Sequence, residues 1–116
     1  MLAFKNRFHG HGSLRYVYQN GRSVRSHLMT IKSTHHPKRQ EPRVAVVISK
    51  KVLKSAVGRN RVRRRIYEIV RHELPKLKAN SDIVIIVFAA EAFAMPHPEL
   101  QKTVVTMLKS SDLYQK

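Results

Sequence analysis

Between residues 58 and 72 the chain reads GRNRVRRRIYEIVRH, and the chemistry this run offers is phosphate binding. Arg59, Arg61, Arg63, Arg64, Arg65 and Arg71 face a single carboxylate, Glu68, within the run. A guanidinium is a planar fork of donors that grips a phosphate through two hydrogen bonds, which a lysine ammonium does not. The excess continues upstream through Lys50, Lys51 and Lys54. Cutting a phosphodiester needs something else: clustered carboxylates for metal ions, or an acid–base pair. The acids are Glu41, Glu68, Glu73, Asp82, Glu91, Glu99 and Asp112, with no Asp-x-Asp spacing. Glu68 and Glu73, the nearest pair on one expected helix, point about 140° apart. His9 with His11 and His35 with His36 lie in expected mobile segments without acidic or cysteine ligands beside them. The sequence therefore predicts binding without catalysis: no catalytic residue and no metal site.

A helix turns about 100° per residue, so the faces of the arginine run can be read directly. Val62, Ile66, Ile69 and Val70 form one apolar stripe, which must pack on the rest of the fold. Asn60, Arg64, Tyr67 and Arg71 fall on roughly the opposite side, with Arg61 and Arg65 on one flank and Arg63 on the other. All the charges are expected to be displayed and none to meet the core. Like charges at i, i+4 cost only about 0.2–0.5 kcal/mol each, whereas each buried aliphatic contributes about 1.5–3 kcal/mol. The helix can form. A merely solvated face would mix signs; this one is nearly single-sign, since only Glu68 is placed to pair, with Arg64 or Arg71.

The remaining elements follow from periodicity and turn residues. Ser13 is a candidate cap for a short helix carrying Leu14, Val17 and Tyr18, stopped at Asn20-Gly21. Residues 23–33 read as a strand, 34–42 as a proline-interrupted loop, and 44–49 as a β-branched strand. The arginine helix is expected from Ala56 to Leu74, with Pro75 near its end. Residues 83–90 are apolar throughout, which predicts a central strand covered on both faces. Pro98 is placed to start a last helix with Leu100, Val104, Met107 and Leu108 on one side. This order makes an α+β sandwich of sheet and helices, α-β-β-(β)-α-β-α, in a single domain spanning 1–116 with a flexible basic segment at 1–12.

Bulk properties agree. The 116 residues carry 23 Lys and Arg against 7 Asp and Glu, a formal charge of +16, which points to a polyanionic partner. No run approaches the ~18 apolar residues of a membrane span, and residues 1–12 lack the ~7–15-residue apolar segment of a secretory signal. The chain has no cysteine, which fits a reducing cytoplasm.

The stretch SKKVLKSAVGRNRVRRRIYEIVRHEL, residues 49–74, resembles the signature of the bacterial ribonuclease P protein subunit. Ser49, Lys50, Lys51, Ala56, Arg59, Asn60, Arg61, Arg63, Arg64, Glu68 and Arg71 match its strand-end Ser-Lys-Lys and Arg-Asn-Arg helix. LRYVYQNGRSVRS (14–26), Arg43 and SDIVII (81–86) are similar to other parts of that family. Leu14 stands where the family often has phenylalanine, Tyr67 where another arginine is common, and Leu53 where many members have a small residue.

The resemblance implies an RNA-based endonuclease that cleaves precursor tRNA at its mature 5′ end, the catalysis belonging to the RNA and its magnesium ions. It implies a left-handed βαβ crossover, against the usual rule. It assigns Lys50, Lys51, Lys54, Arg59, Asn60, Arg61, Arg63, Arg64 and Arg71 to the ribonuclease P RNA, and a cleft at Leu14 and Tyr18 to the precursor tRNA leader. No cofactor bound by the protein alone, no membrane and no small-molecule substrate are expected. Two readings compete. A structural RNA-binding protein of ribosome-like assemblies would share the charge and size. A DNA regulator would need base-reading residues at the start of the helix; Asn60 could serve, yet no second helix lies close before it to make a helix-turn-helix.

Overall fold

The structure, a computed structural model, describes the chain apart from residues 1, 3, 9, 10, 39 and 116 and the side chains of Phe4 and His11. Helix α1 runs His11–Asn20, three residues earlier than a Ser13 cap would allow, so Ser13 lies inside it. Gly21 ends α1: its N–H donates to the Val17 carbonyl at 2.8 Å, and a Cβ there would collide with that same oxygen. Only glycine fits so close an approach.

The single strand expected over 23–33 is a hairpin of β1 (Arg22–Arg25) and β2 (Met29–His35). The chain turns because the Ser26 hydroxyl accepts from the N–H groups of Leu28 and Met29 at 3.2 and 3.3 Å. A serine can make such a turn without glycine or proline to announce it. Strand β2 also takes in Thr34 and His35, which were expected in the loop. Strand β3 (Arg43–Ile48), helix α2 (Ala56–Glu73) and strand β4 (Ser81–Val87) form the crossover unit, with β3 and β4 parallel neighbours. The sheet order is β1-β2-β4-β3, so β4 is interior, as its apolar run predicted. A four-residue helix α3 (Glu91–Ala94), too short to show periodicity, precedes α4 (His97–Ser110).

Alternation along the strands gives the sheet two different faces. Ile31, Val44, Val46, Ile48, Ile83, Ile85 and Val87 join Val62, Ile66, Ile69 and Val70 of α2 and Leu100, Val104 and Leu108 of α4 in the main core. The opposite face carries Thr30, Lys32 and Thr34 on β2, Val84 and Ile86 on β4, and Ala45 and Val47 on β3. Helix α1 crosses this face over β2 and β4, where Val17 and Val84 are both fully buried. At one end of it Arg43 donates to both carboxylate oxygens of Asp82, Nε–Oδ1 2.9 Å and Nη2–Oδ2 2.8 Å, with the Phe8 ring 4.7 Å from the guanidinium carbon. Within the N-terminal segment expected to be flexible, Leu2 is buried and Asn6 donates to the Pro42 carbonyl at 2.9 Å.

The chain's end is tied back to α2. Tyr114 donates its hydroxyl proton to Glu73 Oε1 at 2.7 Å, and Leu77 and Tyr114 form a β-bridge. Burial first, then the carboxylate, raise the Tyr114 pKa above the usual phenol value. The folded state therefore holds this proton more tightly than the unfolded chain does. Its contribution is complete below pH ~10 and is lost as pH rises from there. Tyr114→Phe should lower stability by about 1–2 kcal/mol at pH 7, the cost of leaving buried Glu73 without that donor. It should also remove part of the alkaline fall in melting temperature; thermal melts between pH 7 and 11 measure both.

Candidate nucleic-acid interface

Helix α2 starts on Ser55, whose hydroxyl accepts from the Gly58 N–H at 3.1 Å. Its stripe is buried as the spacing predicts: Val62 2%, Ile66 0%, Ile69 3% and Val70 0% exposed. Asn60, Arg61 and Arg64 are exposed on the outside, and Lys50, Lys51 and Lys54 are exposed on the connection leading into the helix. Among the described residues no acid pairs with Arg61 or Arg64. The Arg61 guanidinium lies 6.0 Å from the centre of the Phe93 ring, at the outer limit of a cation–π contact.

Three arginines are not simply displayed, which corrects the expectation. Arg59 and Arg65 lie about 60° to either side of Val62 and Arg63 about 100° from it, so all three straddle the edge of the buried stripe. Arg59 Nη1 donates to the carbonyls of Leu53 and Lys54, each at 2.8 Å. Arg65 donates to the carbonyls of Phe93 at 3.3 Å and Met95 at 2.5 Å, tying α2 to the segment around α3. Arg63 donates to Asn60 Oδ1 at 2.6 Å and, at 3.4 Å, to the Val46 carbonyl. Carbonyl bonds leave the cationic charge unneutralised, but they fix where it sits.

Tyr67 is also placed differently from expectation: it is half-buried against the sheet, and its hydroxyl accepts from the Val46 N–H at 3.1 Å. Strand β3 is an edge, and Tyr67 and Arg63 together occupy its free N–H and C=O at Val46. An edge covered in this way is closed to pairing with another strand.

Among the described residues, Arg71 is the one arginine of α2 paired with an acid. Glu68 accepts from it at 2.6 and 3.1 Å, with His72 Nε2 at 3.3 Å. The hydrogen bond from Arg71 lowers the Glu68 pKa to about 2, so the pair is ionised at any physiological pH. The one acid on this surface is thereby committed, and of the cations predicted to face RNA only Arg71 is paired with it.

Leu14 and Tyr18 are half-buried, one turn apart on α1. Leu14 lines a cleft of about 390 Å³ with Phe8, Ala45, Val47 and Tyr67. Tyr18 does not line that cleft; it lies a turn further along, where Lys32 Nζ sits 5.9 Å from its ring centre and donates to its carbonyl at 3.0 Å. Burial raises the Tyr18 pKa. His35 and His36 border a separate hollow of about 500 Å³ beside Gly12, Ser13 and Tyr16. Among the described residues no three acidic, histidine or cysteine side chains gather as metal ligands; His9 and the His11 side chain lie outside that description. Phe8 and Lys32, missed from sequence, reach the site through the N-terminal segment and the sheet register. Alternation within β2 was the one signal for Lys32.

The ribonuclease P family model matches residues 2–112. The chain belongs to the ribonuclease P protein family. It is 32% identical over 108 residues to a ribonuclease P protein component from Chloroflexus aggregans, covering 93% of this chain and 78% of that one. It is 30% identical over 112 residues to the Bacillus velezensis ribonuclease P protein component, covering 97% and 94%. The fold is that of the Staphylococcus aureus RNase P protein, TM-score 0.85 at 23% identity over 95% of this chain and 98% of that one. It also matches the Thermotoga maritima RNase P protein, TM-score 0.79 at 20% identity over 90% and 96%. Ribonuclease P membership carries RNA binding and tRNA processing, in a ribonuclease complex whose RNA is the partner. No described helix is long and apolar enough to cross a membrane.

Proposed function

We propose that this protein binds the catalytic RNA of ribonuclease P through the outer face of α2 and holds the 5′ leader of precursor tRNA against α1 and the open half of the sheet. The observation that carries the first part is the exposure of Lys50, Lys51, Lys54, Arg61 and Arg64 beside an acid, Glu68, already committed to Arg71. Such a surface gains free energy by releasing counterions from RNA phosphates. The cleft beside Leu14 suits a single strand: apolar and aromatic walls accept unpaired bases without reading them. Hydrolysis belongs to the RNA and its magnesium ions, in the cytoplasm, and the polypeptide supplies no catalytic group and takes no small-molecule substrate. Reconstitution tests this. Added to a bacterial ribonuclease P RNA at low magnesium, the protein should stimulate removal of the leader from precursor tRNA; absence of stimulation would end the proposal.

The same surface predicts how the free protein responds to anions. Millimolar phosphate should raise the melting temperature in a saturable way, because an anion that binds only the folded state stabilises it by linkage. Sodium chloride of equal ionic strength should not saturate. Identical responses to the two salts would contradict a phosphate-binding face.

A further inference from the structure

Strand β1 brings one arginine onto the open half of the sheet. Its register pairs Arg25 with Thr30, and Thr30 with Ile86, so all three side chains stand on the face that α1 crosses. Phe88 continues the alternation of β4 past Ile86 on that face, its N–H donating to the Leu28 carbonyl at 3.1 Å. The guanidinium of Arg25 lies 4.5 Å from the centre of the Phe88 ring. The cation is therefore seated over the ring. Arg25 is nevertheless exposed, and among the described residues it has no acidic partner.

We propose that Arg25, seated on Phe88, is a stacking station for one nucleotide of single-stranded RNA at the β1 end of the leader cleft. This rests on the leader reading above. A strand entering beside Leu14 and Val47 on β3 crosses β4 and β2 to reach β1, roughly 14 Å away at three inter-strand spacings. There the free face of the guanidinium accepts a base, since bases stack on arginine planes as they do on aromatic rings. The charge lies beside the adjoining phosphate. Phe88 holds the plane flat, giving a ring–guanidinium–base sandwich that tolerates any base.

Binding of precursor tRNAs with graded leader lengths to the holoenzyme, reconstituted from the full chain and a bacterial ribonuclease P RNA, tests this. Arg25→Ala should weaken binding of a long-leader precursor about tenfold, the order of one lost stack. It should leave a precursor with a single-nucleotide leader and the RNA subunit bound as before. Phe88→Leu should give the same loss, and the double variant should be no worse than either single one. Arg25→Lys keeps the charge without the plane and should recover little; full recovery would reduce the site to a point charge and overturn the stack. If Leu14→Ala, in the wall of the cleft, loses the leader-length dependence while Arg25→Ala keeps it, the cleft stands and the station is overturned. If neither variant affects long leaders, the leader reading itself falls and the station falls with it.

Discussion

Reversing both Arg61 and Arg64 to glutamate should weaken binding of ribonuclease P RNA by roughly two to four decades at ~0.15 M salt. The estimate takes each arginine as one charge-assisted contact of about 1.5–3 kcal/mol, with 1.4 kcal/mol per decade. The slope of log K against log salt should shrink by about 1.4–1.8, since each of the two phosphate contacts contributes ~0.7–0.9. Stability should not follow. Both residues are exposed, and among the described residues neither is bonded to the chain's own carbonyls or acids. A glutamate at 61 would sit four residues before Arg65, an attractive spacing, and one at 64 would sit four before Glu68, a repulsive one, so the two changes offset each other. Stability should therefore stay within about 0.5 kcal/mol of the wild type. An RNA affinity that fell together with stability would indicate unfolding; a fall without it isolates the surface. By contrast, Arg71→Ala should do less to RNA binding, because its charge is already matched by Glu68.

The largest stability effect should come from a different pair. Asp82→Ala removes the carboxylate that receives both Arg43 bonds, in a site where the two side chains are only 10% and 7% exposed. A buried guanidinium left without its partner costs about 3–5 kcal/mol, enough to lower the melting temperature by roughly 10–20 °C in a domain of this size. Replacing both members, Arg43→Met with Asp82→Leu, should cost far less than Asp82→Ala alone, because no charge is then stranded. The pair also holds Phe8 over its guanidinium, and Phe8 is a wall of the cleft proposed to hold the leader. Asp82→Ala protein should thus lose leader affinity at temperatures where its α2 face still binds RNA. Equal melting of the single and double variants would contradict this account of the pair.

Elements with strong periodicity were legible in the sequence, and those made by distant contacts were not. The stripe of Val62, Ile66, Ile69 and Val70 and the unbroken apolar run of β4 each carry their burial in their spacing. The division of the β1–β2 hairpin does not, because its turn depends on one serine hydroxyl and no glycine or proline marks it. Arg59, Arg63 and Arg65 read as displayed charges because their carbonyl partners at Leu53, Val46, Phe93 and Met95 are brought to them only by the packing of the connection, β3 and the α3 segment. Tyr67 was read as an outward residue for the same reason: the need it meets is that of a sheet edge, which helical spacing cannot disclose. Family resemblance named Leu14, which lines the cleft, and Tyr18, which lies a turn beyond it. Arg25 and Phe88 required the strand register.

The most direct test of the α2 face is a backbone-cleavage footprint of ribonuclease P RNA, taken free, with the protein, and with the Arg61→Glu/Arg64→Glu variant. The wild-type chain should protect one bounded region of the RNA, and the variant should lose that protection at the same concentration while remaining folded. A variant that protected the same nucleotides as the wild type would contradict the claim that the outer face of α2 is where the RNA binds.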